Sequence, residues 1–338
     1  MELSNKNLDV PDELIEFIKT NSSFIIAGHK EPDGDCVGSQ LALRSALIRL
    51  GKEAFVCSAG PFKRVELKNY NDQFVDIADI AARQHNNPAW KIKAIIVDCI
   101  SIDRTGDIFD YLNQFSCAII DHHASALFPP STADAPVYSD PDSPSCTLLI
   151  YKLIIALGLE LTKEEASLLL FGLCTDTGFF RHLTENNADA FEAAGKMISR
   201  GASPKNIFYA INGGKSLKSR VQIGNILGRT ESHFNGRLLI SCETHEEFTE
   251  FGLEGRDSDS LFLMLLSIEN VEAVVIIRQE STDNCTVSLR SIDNINVAQI
   301  AAAFGGGGHK NASGLTMKGS LSNVKQNMLE SFKKIYAD

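Results

Sequence analysis

Three apolar segments in the first half of the chain each end on side chains that can carry charge. They are residues 24–29, 94–98 and 117–123, and the third ends on one carboxylate and two imidazoles. Ionisable groups are costly in a dry interior unless they are paired or bound to a metal, so these ends are unlike ordinary core. In an open parallel sheet, ligands bind beyond the carboxyl ends of the strands. We therefore expect five residues to converge on one sheet edge: His29, Asp98, Asp121, His122 and His123.

Segments with helical or strand periodicity separate these three strands. Apolar residues recur at helical spacing over 37–50, residues 53–59 have the pattern of a strand, and 106–115 is expected to form a helix. Strands that alternate with helices predict an α/β fold with a parallel sheet and helices on both faces.

The chain continues with a long loop and two further helices. Residues 124–143 contain four prolines and are predicted to form a functional surface segment. Helices are expected at 145–157 and 162–174, and the second runs into Asp176. Taken alone, the position of Asp176 favours a capping or surface residue.

The composition limits the classes of protein that this chain can belong to. Its 338 residues, 44% of them hydrophobic, can fill about two domains. A net charge of −11 argues against binding to long duplex nucleic acid, which needs a basic face. No apolar run reaches the roughly eighteen residues of a membrane span, and the eight cysteines form no CxxC pair. We expect a cytoplasmic protein with reduced thiols and no membrane partner.

The turn after the first strand holds three potential metal ligands: His29, Asp33 and Asp35. Carboxylates at this position commonly cap the following helix. A cap needs only one carboxylate, whereas two flank Gly34 here and a histidine lies four residues before the first.

The combined set of imidazoles and carboxylates suits Mn²⁺ or a related divalent ion better than structural zinc. Carboxylates crowded at one edge repel each other, and two divalent cations would offset that charge. Two metals about 3.5–4 Å apart are the arrangement that activates water and stabilises the leaving oxygen in phosphoester hydrolysis. The pattern therefore predicts a hydrolase that acts on phosphates.

Four motifs within residues 24–180 resemble, in order, those of the DHH phosphoesterase superfamily: 28–35 (GHKEPDGD), 97–98 (VD), 121–123 (DHH) and 175–178 (TDTG). The resemblance implies that His29, Asp33 and Asp98 hold one Mn²⁺. It implies that Asp35, Asp98, His122 and Asp176 hold the second, with Asp98 as the bridge. Mg²⁺ or Co²⁺ could substitute. His123 would face the scissile phosphate, which makes Asp98 and His123 the catalytic residues, and Asp121 would orient its neighbours.

A second, smaller α/β domain is expected after a helical hinge. The predicted organisation is a catalytic domain over 1–185, a linker over 186–220 and a substrate-binding domain over 221–338. The second domain offers strand candidates at 271–279 and 284–290 and a helix at 296–304. The active site is expected in a cleft between the two domains.

A run of four glycines, residues 305–308, stands between apolar stretches. A flexible linker is one interpretation. The other is a backbone cradle for an anion, aided by a helix that begins after the run. The run resembles the signature of the DHHA1 domain, and Arg290 could bind a phosphate with two hydrogen bonds. The substrate-binding candidates are Arg290, Gly306, Gly307, Gly308 and His309.

A chain with one DHH and one DHHA1 domain resembles the nanoRNase and pAp-phosphatase group. This resemblance implies hydrolysis of oligonucleotides of two to five nucleotides, of 3′-phosphoadenosine 5′-phosphate (pAp), or of both. Cyclic-dinucleotide phosphodiesterase is the alternative. Polyphosphatase, pyrophosphatase and a non-catalytic nucleotide-binding regulator rank lower. The sequence leaves the cleavage direction, the loaded metal and the oligomeric state open, a homodimer included.

Overall fold

The computed structural model describes residues 8–123, 136–252, 255–292 and 295–336. The chain forms two compact units, Met1–Gly213 and Gly214–Asp338. No helix within these ranges is both long and apolar enough to cross a membrane.

The first unit is built on a five-stranded sheet in which every paired strand is parallel, as predicted. The strand order is β2-β1-β3-β4-β5. The strands are β1 (Ser23–Ala27), β2 (Glu53–Cys57), β3 (Ile92–Val97), β4 (Cys117–Asp121) and β5 (Val137–Ser139). The order reverses between β1 and β3, which is the point where ligands bind in doubly wound sheets.

Helices cover both faces of this sheet, because alternate strand residues point to opposite sides. Phe24 and Ile26 pack in one apolar cluster with α1, α2, α5, α6, α7 and α8, while Ile25 and Ala27 pack in another with α3 and α4. The helices are α1 (Asp12–Thr20), α2 (Gly34–Arg49), α3 (Ile77–Asn86), α4 (Phe109–Leu112), α5 (Cys146–Ala156), α6 (Lys163–Asp176), α7 (Ala188–Ser199) and α8 (Pro204–Asn212).

Two local predictions in this unit were wrong or incomplete. The helix expected over 106–115 is a 3₁₀ segment, Ile102–Ile108, followed by the single turn α4, because Gly106 has φ 70° and ψ −135° and breaks the helix. Of the predicted loop over 124–143, residues 124–135 lie outside the described residues. The remainder contains the edge strand β5, which is only three residues long and is closely flanked by Pro136 and Pro141.

The second unit is a mixed six-stranded sheet in the order β10-β11-β9-β8-β7-β6, where only β7 and β8 pair in parallel. One face packs on α12 and α13, and the other on α9 and α11. This confirms a smaller C-terminal α/β domain. Its strands are β6 (Glu231–His233), β7 (Leu238–Glu243), β8 (Ala273–Ser281), β9 (Asn284–Ser291), β10 (Gly307–His309) and β11 (Ala312–Lys318). Its helices are α9 (Leu217–Gly228), α10 (His245–Phe251), α11 (Ser258–Leu266), α12 (Val297–Ala302) and α13 (Leu321–Tyr336).

The segment predicted as a linker, 186–220, contains α7, α8 and the beginning of α9. The division between the two units falls inside it, between Gly213 and Gly214.

Candidate metal centre

The ionisable side chains that follow β1, β3 and β4 meet at the carboxyl edge of the parallel sheet. His29 lies two residues after β1, Asp98 directly follows β3, and Asp121 is the last residue of β4. The main-chain N–H of Asp98 donates to the carbonyl of Ile120 at 2.9 Å, which extends the pairing of the two strands up to the site.

Asp98 occupies the centre of this group. Its Oδ2 lies 3.4 Å from Nε2 of His29, and its Oδ1 lies 3.5 Å from Nε2 of His122. The residue is 2% exposed, and Oδ1 has no hydrogen-bond partner among the described residues. Its φ of 59° is uncommon for a residue other than glycine, and such strain is concentrated at functional sites.

Asp33 caps α2 and also faces the site. Its Oδ1 accepts from the main-chain N–H groups of Asp35 and Cys36, both at 3.1 Å, and lies 3.9 Å from Nε2 of His29. The capping interpretation of Asp33 and the ligand interpretation are therefore compatible.

The first turn of α5 holds the Asp35 carboxylate through hydrogen bonds. Its Oδ2 accepts from the N–H of Cys146 at 2.6 Å, and its Oδ1 accepts from the N–H and the hydroxyl of Thr147 at 2.9 and 2.6 Å. The positive end of the helix dipole helps to stabilise the buried carboxylate. Oδ2 also lies 3.8 Å from Nε2 of His122, which links Asp35 to the centre.

Close helix packing brings Asp35 and Asp176 to the same place. A Cβ on Gly38 of α2 would lie 2.6 Å from the carbonyl of Leu168, and one on Gly172 of α6 would lie 2.4 Å from the Thr147 side chain. Glycine at these positions lets α2, α5 and α6 approach each other. Asp176, the last residue of α6, then places its Oδ2 3.4 Å from Nε2 of His122.

Two imidazoles are oriented by main-chain carbonyls. Nδ1–H of His29 donates to the carbonyl of Lys30 at 2.9 Å, and Nδ1–H of His122 donates to that of Ser143 at 3.1 Å. This leaves both Nε2 atoms directed at carboxylates, and it is the tautomer that metal-binding histidines usually adopt.

The electrostatics of the cluster show an excess of carboxylates. Burial, followed by the charges of Asp98 and Asp176, raises the pKa of Asp35 well above its ordinary value. Burial also raises the pKa of Asp176. Burial lowers the pKa of His29, but Asp33 and Asp98 overcome this effect and raise it to about 10.

The donor set fits divalent ions. Within the described part of the chain, ligand atoms of Asp35, His122 and Asp176 lie within 4.8 Å of one another, as do those of Asp98, His122 and His123. Oxygen and imidazole donors suit Mn²⁺-like ions, and the unpartnered Oδ1 of Asp98 is an acceptor available to one. A positive charge here would relieve the repulsion among the carboxylates.

His123 differs from the other two histidines. Its Nδ1–H donates to Oδ1 of Asp121 at 2.8 Å, and the same oxygen accepts from the N–H of His122 at 2.8 Å. Asp121 is fully buried, whereas the His123 side chain is 43% exposed. The contact with Asp121, followed by burial that acts in the opposite direction, raises the pKa of His123.

Sequence reasoning missed the residues around the ligands, notably Ser143, Cys146 and Thr147. Ser145 caps α5 by accepting from the N–H of Leu148 at 3.2 Å, and such a cap can be recognised in a sequence. Nothing local in the sequence indicates that this helix begins beside Asp35.

In the second unit, the structure brings Arg290 and His309 to one face of the sheet. His309 pairs with Ala312, which pairs with Arg290 on its other side. Cross-strand partners lie on the same face of a sheet, so Arg290 and His309 share one face. They are two strands apart, which is about 10 Å. The Arg290 guanidinium lies 5.0 Å from the centre of the Phe262 ring.

The prediction that a helix begins after the glycine run was wrong. The run enters β10, which turns back into β11 as a hairpin. A Cβ on Gly306 would lie 2.4 Å from the carbonyl of Gly314, and one on Gly308, whose φ is 138°, would lie 2.5 Å from that of Ala312. Gly307 has open space at this position. The hairpin therefore explains Gly306 and Gly308 but not Gly307.

Two protein-family models match the chain in tandem. The DHH family, N-terminal domain, matches residues 23–173, and the DHHA1 domain matches residues 235–338. This pair of domains defines a phosphoesterase. The chain thus carries a DHH-family domain followed by a DHHA1 domain, which confirms the resemblance found in its motifs.

Individual relatives agree with this assignment. The chain is 29% identical over 316 residues to the bifunctional oligoribonuclease and PAP phosphatase NrnA of Thermus thermophilus, covering 91% of this chain and 89% of that protein. It is 25% identical over 339 residues to the cyclic-di-AMP phosphodiesterase GdpP of Bacillus subtilis, but it spans only 49% of GdpP. The fold is similar to the crystal structure of an exopolyphosphatase-related protein from Bacteroides fragilis, with a TM-score of 0.80 and 24% identity over all of both chains.

If the carboxylate cluster holds divalent ions, removing them should destabilise the protein. Ligand at about 100 times its dissociation constant stabilises a fold by roughly 2.7 kcal/mol. We expect excess Mn²⁺ to raise the melting temperature above that in chelator by about 5–10 °C, measured by calorimetry. Asp98→Ala should lose this response, whereas Asp79→Asn, which changes an exposed carboxylate on α3, should keep it. An equal response in Asp98→Ala would argue against a metal site at this edge.

Proposed function

We propose that this protein is a Mn²⁺-dependent phosphoesterase that hydrolyses oligonucleotides of two to five nucleotides, pAp, or both. The observation that carries the proposal is the position of Asp98, with one carboxylate oxygen facing His29 and the other facing His122. This arrangement supports a bridging role between two ions. The similarity to the Thermus thermophilus NrnA supports the choice of substrates.

The proposed ligands divide into two sets that share Asp98. His29, Asp33 and Asp98 would hold the first ion. The second ion would be held by Asp35, Asp98, His122 and Asp176. Bound ions would lower the pKa of water and offset the negative charge of the scissile phosphate. Mg²⁺ or Co²⁺ could replace Mn²⁺, and carboxylate oxygens are the donors that Mg²⁺ and Mn²⁺ share.

His123 is proposed to act on the substrate. Asp121 accepts its Nδ1–H at 2.8 Å, which fixes the ring and leaves Nε2 available to donate a proton to a phosphate or leaving oxygen. The partial exposure of His123 supports this role.

The second unit is proposed to hold the part of the substrate that does not react. Arg290 and His309 offer donors from one sheet face, and the exposed backbone at Gly307 can approach an anion without a side chain in the way. Binding in a cleft between the two domains stays a prediction from the sequence.

The alternative is a cyclic-dinucleotide phosphodiesterase, which the similarity to GdpP favours. A panel of dinucleotide, tetranucleotide, pAp, cyclic di-AMP and pyrophosphate, each with Mn²⁺, tests the proposal. Hydrolysis of the linear nucleotides or pAp should exceed that of the other two compounds. Asp98→Ala should abolish it together with Mn²⁺ binding, measured by calorimetric titration. Near-normal turnover by this variant would refute the shared-ligand assignment.

His123→Ala tests the role of the exposed histidine. We expect turnover to fall by roughly 10²–10⁴, the range for a positioned acid–base or charge-stabilising group. The metal content, measured by elemental analysis, should stay close to that of the parent. Loss of one metal equivalent would instead make His123 a ligand.

Substitutions of Arg290 and within the glycine run distinguish a role in substrate binding from a role in folding. Arg290→Ala should weaken the binding of a dinucleotide or pAp by about 1.5–3 kcal/mol, the range for a hydrogen bond to a charged group. Gly307→Ala should lower kcat/KM on these substrates more than on a small aryl phosphoester, without loss of stability. Gly308→Ala should lower the melting temperature, because its Cβ would collide with β11. Equal losses of kcat/KM on the nucleotides and the aryl ester in Gly307→Ala would remove the substrate-binding role from this run.

A further inference from the structure

The loop directly after Asp176 is held in an unusual conformation. Gly178, Phe179 and Phe180 have φ values of 56°, 60° and 69°. Bulky residues with left-handed φ are rare and strained. Hydrogen bonds fix the turn: the N–H of Phe179 donates to the carbonyl of Cys174 at 2.7 Å, and that of Phe180 donates to the hydroxyl of Thr177 at 2.9 Å. The strain thus sets the positions of two aromatic rings at the end of α6.

The Phe179 ring continues into an aromatic row on α8. The Phe179 and Phe208 rings are 5.3 Å apart and nearly perpendicular, and Phe208 meets Tyr209 in the same way at 5.9 Å. Together with Pro204 and Lys205, they line a groove of about 390 Å³ that lies wholly within the first unit. This volume lies within the range of small-molecule sites.

Core packing does not explain the outer part of this row. Phe179 packs against the apolar core, but Phe208 is 45% exposed and Tyr209 is 62% exposed. Within the described residues, Phe208 is the only ring that Tyr209 contacts, and Lys205 makes no ion pair. The groove therefore combines accessible rings with an available cation.

We propose that this groove binds a nucleobase of an oligonucleotide substrate, one or more nucleotides away from the scissile phosphate. The inference rests on the proposed function and adds a binding site to it. Stacking on exposed aromatic rings together with a cation for the backbone is how proteins bind single strands without reading their sequence. The position of the groove in the chain supports a nucleobase as the ligand. Helix α6 ends at the proposed metal ligand Asp176, and the groove residue Phe179 follows directly after this helix.

The test compares substrates of increasing length. We expect the ratio of kcat/KM, Tyr209→Ala over parent, to fall from pAp through the dinucleotide to the tetranucleotide. On the tetranucleotide the loss should reach roughly 5- to 150-fold, the range for one lost base stack. Tyr209→Trp should restore the parent ratio, because tryptophan also stacks. Ile198→Ala, which removes an exposed apolar side chain outside the groove, should show no dependence on length.

A binding measurement separates this inference from the proposed function. Tetranucleotides with 2-aminopurine at each position in turn are titrated in chelator, where no hydrolysis is expected. Fluorescence should be quenched at one position in the parent and in Tyr209→Trp, but not in Tyr209→Ala. If the parent hydrolyses none of the nucleotides, the proposed function fails, and the quenching still decides the occupancy of the groove. Equal ratios on all lengths without quenching would overturn the groove site. A change of oligomeric state in Tyr209→Ala by sedimentation, with no length effect, would instead make the groove a contact between copies.

Discussion

Repulsion among buried carboxylates at one sheet edge is the constraint on which the rest of the first unit depends. Asp35 and Asp98 are almost fully buried, and Asp33 and Asp176 lie beside the same histidines. Such a group is unstable without compensation. The fold provides part of this compensation through hydrogen bonds. The first turn of α5 donates to Asp35, and main-chain N–H groups of α2 donate to Asp33. The remainder of the compensation would come from cations in the proposed metal site.

The strands that carry the site could be predicted because their signal is local. Each is a short apolar run that ends on an ionisable residue, and parallel strands bring such ends to a common edge without further information. The positions of His29, Asp98 and His122 follow from this argument. Asp33 and Asp35 follow from the turn before α2, where helix periodicity begins.

What could not be predicted depends on contacts between segments that are distant in the sequence. Thr147 binds Asp35 across 112 residues, and Gly172 is needed because Thr147 lies against it. The second sheet shows the same limit. Arg290 and His309 share a face only because β11 pairs with both β9 and β10, and this pairing fixes the register. The glycine run could be read as an anion cradle from its composition, but its hairpin geometry depends on a strand that the sequence pattern did not predict.

Strained backbone accompanies both candidate sites of the first unit, the carboxylate cluster and the aromatic groove. Asp98, Phe179 and Phe180 all hold left-handed φ values, although no turn type requires a bulky residue there. Asp98 stands at the end of β3, where strand pairing with β4 and burial hold it. The two phenylalanines stand at the end of α6, whose apolar residues are buried in the larger core cluster. In both places the strained residue stands at the end of an element whose apolar residues are buried. A side chain proposed to face an ion or a substrate can then be held out of its preferred conformation, because the strand or helix behind it is buried and packed.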